Sequence, residues 1–560
     1  MHRRFVTLVA AVAFVATACT PGGGTDATST TDQAPTSTTA SSTSSTTTPP
    51  DGFGGTVRVG VDAEPGQNRN PYGPSGLTSA TIEIGNAIWA TVFDVDPVTF
   101  EKVPDTVLAL PTQSPDAIET HGDGSMTVRY QVNPAARWSD GVPISGEDIA
   151  FTADVLKGAV LAGDPNIPEI MGSVVDTEAL EQVAWITFSH TSLTFEDALR
   201  VILPAHAIGD GDPFGDVGDW PSGGPFLVTD DPLRYERNNF YWKTDDAGRR
   251  LPYLDELVFV PTLDGPADAI RSSSVDLVTM GDPSGVVTND TDLEVSAVPT
   301  PVLEHLTFGF GSARDEVNGA SSNDIPAYRR AVATVIDRPT LLEAVGVPWD
   351  PETPGVLIPR GESAWNRYGP SERDAASLIG ELDTDPVAVI STSGNAEERP
   401  AIVSELVDVL RGIDVDATAD LQDSLVLFQD TLPNGAFDIA MWAWINDGSY
   451  GDVLRMLGLF DPASDTTSFS RWGVEGPTAN DAAARFSEIA ALAPTIVDVD
   501  EFWSLVGEAE GILADQVPII PLFHRTVFVV IAHNRVTGVV PNASRSGDTW
   551  NVELWQVPGE

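Results

Sequence analysis

The folded body of the chain opens with alternating apolar and polar residues and then changes to a helical pattern. Apolar residues alternate with others over 56–61 and over 124–132, which predicts two half-buried strands. Between these strands, apolar residues recur at helical spacing over 82–92, so we expect a helix there. Ser145 and Asp148 have the spacing of a capping box, which predicts the start of another helix.

The second half of the body predicts a parallel crossover. Residues 386–391 form a short apolar run, 397–411 show an amphipathic helical pattern, and 413–417 form a second short strand pattern. A strand, a helix and a strand at this spacing indicate a right-handed parallel crossover. Residues 437–444 predict a third strand, followed by a loop over 445–452. Because ligands bind beyond the carboxyl ends of strands in open α/β sheets, we expect ligand-binding chemistry in this loop.

The N-terminus has the features of a secretory signal. Arg3 and Arg4 precede an apolar run over 5–16. This run is shorter than the roughly 20 residues with which a helix crosses a bilayer, so a membrane-spanning helix is disfavoured. The small residues over 16–18 and the cysteine after them resemble a bacterial lipobox, with Cys19 as the acylated first mature residue. Cys19 is the only cysteine, so no internal disulfide can form. The alternative is ordinary cleavage nearby, which would leave Cys19 as a free thiol.

Composition divides the chain into a leader, a tether and a body. We interpret residues 1–18 as a lipoprotein signal peptide. Residues 19–52 are dominated by Ser, Thr, Pro, Gly and Ala, a composition that predicts a disordered segment. This segment would tether the body to the outer face of the bacterial cytoplasmic membrane. The remaining chain of about 510 residues suffices for two or three domains. No second linker separates them, which favours interleaved lobes. The chain has 30 Lys and Arg against 82 Asp and Glu, a net charge of -52, which argues against nucleic acid as a partner.

Four segments follow one another in a distinctive order along the body: VRYQVNPAARWSDGVPISGEDIAFTADVL (128–156), GGPFLVTDDPLRYERNNFYW (223–242), IPAYRRAVATVIDRPTLLEAV (325–345) and PIIPLFHRTVFVVI (518–531). In their order and spacing they resemble the family 5 extracellular solute-binding proteins, the peptide, oligopeptide and nickel binders of ABC importers. The similarity extends over about 56–555.

This resemblance implies an α/β, two-lobed periplasmic-binding-protein-like fold of type II, cluster C, with an extra subdomain in lobe one. Chain crossings near 299–304 and 518–523 would form a hinge, and ligand in the cleft between the lobes would close it. The expected parts of the body are lobe one over 53–302 and 523–560, its extra subdomain over 78–204, and lobe two over 303–522.

The resemblance also points to Asp447 as a ligand-binding residue. Peptide-binding members have a Trp-x-x-Asp motif whose aspartate pairs with the amino terminus of the ligand, and Trp444 and Asp447 match that motif. The residues that follow, 448–453, differ from the family's Asp-Tyr-x-Asp-Pro continuation. The alternative for Asp447 is a loop-capping or solvated carboxylate. The further candidates are Trp442, Trp444 and Tyr450 as apolar walls and Glu64 in the loop after the first strand, with core positions as the alternative for the two tryptophans.

Motifs for catalysis and for metal or cofactor binding are absent from the sequence. The histidines form no zinc-binding pair, and there is no Gly-x-Ser-x-Gly elbow, Gly-x-Gly-x-x-Gly string or Walker A string. The missing motifs lead us to expect no enzyme, cofactor or metal site, and the resemblance implies a monomeric solute-binding component that captures a small ligand, in first place an oligopeptide, for an ABC permease. A secreted glycoside or peptide hydrolase is one alternative, because 82 acidic residues offer many carboxylate pairs. A ligand sensor on the same fold is another.

Overall fold

The computed structural model describes most of the body. The described residues are 53–63, 69–73, 78–164, 166–263, 265–286, 292–311, 322–347, 355–358, 368, 374–395, 398–464 and 469–559. They belong to one compact unit, Pro49–Glu560. The predicted signal peptide, the tether, Cys19 and Glu64 lie outside the described residues.

Most of the described strands belong to one large sheet. In chain order the strands are β1 (Thr56–Val61), β2 (Ala90–Thr91), β3 (Phe93–Val95), β4 (Lys102–Pro104), β5 (Ile118–Thr120), β6 (Met126–Gln131), β7 (Val174–Leu180), β8 (Val183–Phe188), β9 (Val201–Ile202), β10 (Phe226–Val228), β11 (Arg234–Arg237), β12 (Glu256–Pro261), β13 (Leu277–Met280), β14 (Leu293–Phe308), β15 (Val387–Ser393), β16 (Asp416–Gln422), β17 (Ile439–Ile445) and β18 (Ile519–Ala532). Ten of them form the large sheet in the order β10-β11-β12-β1-β13-β18-β14-β17-β15-β16.

The two longest strands, β14 and β18, lie in the middle of this sheet and pair antiparallel with each other. On one side β18 pairs with β13, next to the parallel strands β1 and β12. On the other side β14 pairs with β17, next to the parallel strands β15 and β16. The register of β14 and β18 shifts between Pro299 and Leu303 and between Glu304 and His305. The crossings predicted near 299–304 and 518–523 fall within these strands, and the division into two lobes and a subdomain stays a prediction.

The predicted strand–helix–strand connection with parallel strands is confirmed in the second half, and its right-handedness stays a prediction. Helix Arg399–Arg411 connects β15 to β16, and these two strands pair in parallel. The strand predicted over 413–417 begins later, at Asp416, because the N–H of Val415 still bonds the carbonyl of Leu410 in a turn after the helix. The predicted third strand is β17, which is parallel to β15.

The capping-box prediction is also confirmed. Helix Gly146–Leu161 begins directly after Ser145, and the Ser145 N–H donates to the Asp148 carboxylate at 2.9 Å. This helix packs on a second sheet, in the order β5-β6-β8-β7. The helix predicted over 82–92 is shorter, Ser79–Ile88, because the backbone becomes extended at the next residue and enters β2.

The remaining helices complete an α/β architecture, as predicted. No helix among the described ranges is long and apolar enough to span a membrane. The other α-helices there are Phe195–Ala198, Ala205–Ile208, Pro266–Arg271, Pro326–Val335, Arg338–Val345, Ala375–Ile379, Ser424–Val426, Tyr450–Phe460, Asp481–Leu492 and Val499–Gln516.

Candidate ligand-binding cleft

A cavity of about 420 Å³ lies beside the loop that follows β17. This volume is within the roughly 300–1,000 Å³ that small-molecule sites occupy. Its wall combines chain segments that precede β14 or follow β18 with segments from between these two strands. The lining residues are Val95, Thr99, Phe100, Glu101, Lys102, Leu110, Thr112, Gln113, Glu196 and Arg545 from the first group, and Ile358, Asp447, Gly448, Ser449, Tyr450, Val499 and Trp503 from the second.

Asp447 lines this cavity, but its carboxylate already has a cationic partner in the chain. Oδ1 accepts a hydrogen bond from the backbone N–H of Ser449 at 2.9 Å. Oδ2 accepts from both Nε (2.7 Å) and Nη2 of Arg545. Burial by itself would raise the pKa of Asp447, but the charge of Arg545 and the bonds from Ser449 outweigh it and hold that pKa below its usual range. A ligand ammonium would therefore have to compete with Arg545 for this carboxylate.

Arg545 is held in place by the segment around it. The backbone N–H groups of Asp548 and Thr549 donate to the buried carboxyl group of Glu83 at 2.9 and 3.0 Å. The side-chain amide of Asn542 donates to a carbonyl at the end of β3 at 2.8 Å. These bonds attach the segment to the helix Ser79–Ile88 and to β3, so the backbone that carries Arg545 is fixed on both sides.

A second charged group in the cavity wall is Lys102, which has two acidic partners. Its Nζ lies 2.5 Å from Asp197 Oδ1 and 3.5 Å from Glu196 Oε1. The other oxygen of Asp197 accepts from the backbone N–H of Gly451 at 2.7 Å, at the start of helix Tyr450–Phe460. Lys102 Nζ also lies 4.8 Å from the ring centroid of Tyr450. Lys102 and its partners therefore connect the two walls of the cavity.

Tyr450, predicted as an apolar wall, lines the cavity. Its ring packs against Phe502 and Trp503, with ring centroids 5.2 and 6.1 Å apart. Trp503 also lines the cavity, whereas Phe502 is fully buried beneath it. The aromatic part of this wall therefore combines the predicted tyrosine with a tryptophan that the sequence did not single out.

Trp442 and Trp444 are placed differently from Tyr450, since neither is among the residues that line the cavity. The Trp442 side chain is only 2% exposed and contacts His305 and Phe437 edge to face. Trp444 stacks between His305 and Phe469, with centroids about 6 Å from each ring. This packing agrees with a core position for Trp442, whereas Trp444 is only partly buried against the same aromatic cluster, and a ligand contact of either tryptophan stays a prediction.

Two buried groups position another part of the wall, the segment 355–358. The carboxyl group of Glu510 accepts from the N–H of Val356 at 2.8 Å and of Leu357 at 2.6 Å. The side-chain amide of Asn446 donates to the carbonyl of Val356 at 2.9 Å. Because Asn446 directly precedes Asp447, this bond ties the segment, and with it the cavity residue Ile358, to the loop after β17.

Sequence reasoning did not select the cations of the site, Lys102 and Arg545. The signal that could have found them is weak: in a chain with far more acidic than basic residues, each cation has a high chance of an acidic partner. The sequence does not indicate which acidic residue pairs with Lys102 or with Arg545. Within the described part of the chain, no group of three or more His, Cys, Asp and Glu residues could hold a metal ion.

Comparisons with known proteins agree with this architecture. Residues 113–467 match the family model of the bacterial extracellular solute-binding proteins, family 5 Middle. The chain is 24% identical over 393 residues to the oligopeptide-binding protein OppA of Mycobacterium tuberculosis, a match that covers 63% of this chain and 63% of the relative, less than two thirds of its length.

Solved structures extend the likeness to nearly the whole chain. The periplasmic murein tripeptide-binding protein MppA, in its unliganded open form, has a TM-score of 0.66 at 15% identity and covers 91% of this chain and 99% of its own. The periplasmic EDTA-binding protein EppA has a TM-score of 0.65 at 19% identity, with 90% and 97% covered. These likenesses confirm the predicted periplasmic-binding-protein fold. Because the family model also matches more than half of the chain, the protein belongs to the bacterial extracellular solute-binding proteins of family 5.

Proposed function

We propose that the protein is the extracytoplasmic solute-binding component of an ABC importer and that it captures a small ligand in the cavity beside Asp447 and Tyr450. The observation that carries this proposal is the mixed wall of the cavity, to which chain on both sides of β14 contributes. A ligand held there touches both parts of the body and favours the conformation in which they are close together. The ligand-bound form is then delivered to the membrane permease.

A small peptide is the ligand class that we propose. Support comes from the relatives named above, one an oligopeptide-binding and the other a murein tripeptide-binding protein. The cavity offers charged groups of both signs beside the aromatic rings of Tyr450 and Trp503. Such a wall suits a zwitterion with apolar side chains, because the charged groups bind the polar ends and the rings cover the side chains.

Closure of two lobes about β14 and β18 is the proposed mechanism. Support comes from the position of these strands in the middle of the sheet and from the register shifts next to Pro299 and Glu304, which interrupt their regular pairing. Contacts between the cavity walls, such as that between Asp197 and Gly451, would form on closure. Small-angle scattering should then show compaction when a tight ligand is added. An unchanged radius of gyration with a saturating tight ligand would refute closure.

Attachment to the membrane through Cys19 stays part of the proposal. Mass spectrometry of the mature protein should find a lipid-modified N-terminal Cys19, and Cys19→Ser should release the protein from the membrane fraction. A mature chain with an unmodified N-terminus near this position would instead favour ordinary cleavage.

Ligand recovery is the decisive experiment for the function. Native mass spectrometry of gently purified protein should reveal retained peptides, and a tripeptide mixture should raise the melting temperature without being hydrolysed. Stabilisation by a sugar or a chelate, with none by peptides, would keep the binding function and overturn the peptide. Turnover of peptides or glycosides without stabilisation would instead favour the hydrolase alternative.

A further inference from the structure

Arg545 has more hydrogen-bond donors than Asp447 uses. A guanidinium group carries five N–H donors. Nε and Nη2 bond Asp447 Oδ2, whereas Nη1 makes no hydrogen bond within the described ranges. The Arg545 side chain lines the cavity and is 30% exposed, so these remaining donors are accessible from the cavity.

The other buried charged groups of the wall are already paired. Lys102 has Asp197 and Glu196 as partners. Glu196 also accepts from the N–H and the hydroxyl of Thr112, at 3.2 and 2.6 Å. Asp447 accepts from Arg545 and from the Ser449 backbone, as described above. Arg545 is itself paired with Asp447, but among these groups it is the one whose hydrogen-bond donors are not all used by its partner.

Displacement of Arg545 by a ligand ammonium is the less favourable route to binding. Removing one partner from a buried ion pair is costly, because the charge left behind loses its compensation. The segment that carries Arg545 is also bonded to Glu83 and to β3, so its backbone has little freedom to withdraw. A ligand that uses the free donors avoids both costs.

We propose that Arg545 is a specificity-determining residue that binds a carboxylate group of the ligand, and that Asp447 is a positioning residue that orients Arg545 for this contact. The inference rests on the proposed function, since it names the ligand end that the same cavity selects. Guanidinium and carboxylate groups form strong, charge-assisted hydrogen bonds with well-defined geometry. Exposed Glu101 also lines the cavity and offers a place for a cationic group, which favours a zwitterion over a polyanion.

The test compares defined peptides on matched variants by calorimetric titration. The probes are the same tripeptides, each titrated separately in three forms: the free acid, the C-terminal amide and the N-acetylated acid. The native protein should bind the free acids about 10- to 100-fold more tightly than the amides, the range expected for a charge-assisted pair. Arg545→Gln should abolish this preference, so that the acids bind no more tightly than the amides. Arg545→Lys, which keeps the charge, should retain part of the preference.

Arg455→Gln is the control variant, because Arg455 pairs with the nearby Asp452 but does not line the cavity. It should leave the acid preference unchanged. The positioning role predicts that Asp447→Asn weakens binding of the free acids more than binding of the C-terminal amides. Asp447→Glu should restore part of the preference for acids over amides. A merely structural role for Asp447 would weaken both forms alike.

Two outcomes separate the failure of this inference from that of the proposed function. If the native protein binds acids and amides equally, or if acetylation of the amine is the change that abolishes binding, Arg545 does not select a carboxylate and the inference is overturned while the peptide function stands. If no form of these tripeptides binds to the folded protein, the peptide function is overturned and this inference with it.

Discussion

The buried carboxylate of Glu304 offers a sharp test of the fold in the region of the proposed hinge. Glu304 lies in β14 and is only 1% exposed, and its oxygens accept from Arg399 (Nε 3.1 Å, Nη2 2.9 Å) and from Nε of Arg525 in β18 (2.7 Å). The Arg399 side chain is 9% exposed and the Arg525 side chain 39%. Glu304→Gln keeps the shape of the side chain but removes its charge, so the buried Arg399 loses its counter-charge.

The magnitude follows from this difference in burial. Breaking a buried ion pair by removing one partner costs about 3–5 kcal/mol, whereas a solvent-exposed pair contributes about 1 kcal/mol or less. Most of the loss therefore comes from Arg399 and little from Arg525. The unfolding entropy is about 2.1 cal/mol/K per residue, and the body has about 500 residues. If the body unfolds as one unit, Glu304→Gln should therefore lower the melting temperature by about 3–5 °C. If the predicted lobes unfold separately, the shift should be about twice as large, because the unfolding entropy is halved.

The assay is thermal unfolding of the mature body followed by circular dichroism, with Glu508→Gln as the matched control. Glu508 accepts two hydrogen bonds from Arg485, at 2.7 and 2.9 Å, but both side chains are more than 40% exposed. The control should therefore shift the melting temperature by about 1 °C or less. Equal shifts for the two variants would refute the reasoning that burial decides the contribution of the pair.

Three further predictions test other parts of the molecule. Burial and the neighbouring Asp548 raise the pKa of Glu83 from 4.5 to about 8. The contribution of Glu83 to stability is therefore fully present below pH 4.5 and is lost as the pH rises through about 8. Glu83→Gln should make the melting temperature less dependent on pH between these values, and an unchanged pH dependence would contradict this. Trp442→Ala should cost about 3–5 kcal/mol in urea unfolding because the side chain is buried, and a loss of ligand affinity at unchanged stability would mean that it contacts ligand instead. Gly224→Ala should strongly destabilise the protein, since an added Cβ would lie 2.6 Å from the carbonyl oxygen of Ala87. Gly122 has open space around it, so Gly122→Ala should have little effect. Similar melting temperatures for the two variants would exclude the steric explanation.

Features set by neighbouring residues were predictable from the sequence. The helix that begins after Ser145 depends on a carboxylate three residues away, and its apolar face repeats over its own length. The crossover from β15 to β16 follows from local strand and helix patterns, and only its boundaries moved, by up to five residues. Asp447 and Tyr450, which line the cavity, were selected because the loop after a strand is where α/β sheets bind ligands and, for Asp447, because the family motif marks it.

What the sequence determined by itself was therefore the order of elements, the α/β class and the loop that reaches the cavity, because each depends on residues close together in the chain. Only the tertiary structure decided the partners of that loop. Arg545 lies 98 positions from Asp447, and Asp197 lies 254 positions from Gly451. Contacts over such separations depend on how the elements pack in space, and no periodicity along the chain encodes them. For the same reason the sequence did not separate Tyr450, which lines the cavity, from Trp442 and Trp444, which pack beside His305 outside it, and it did not place Arg545 next to Asp447.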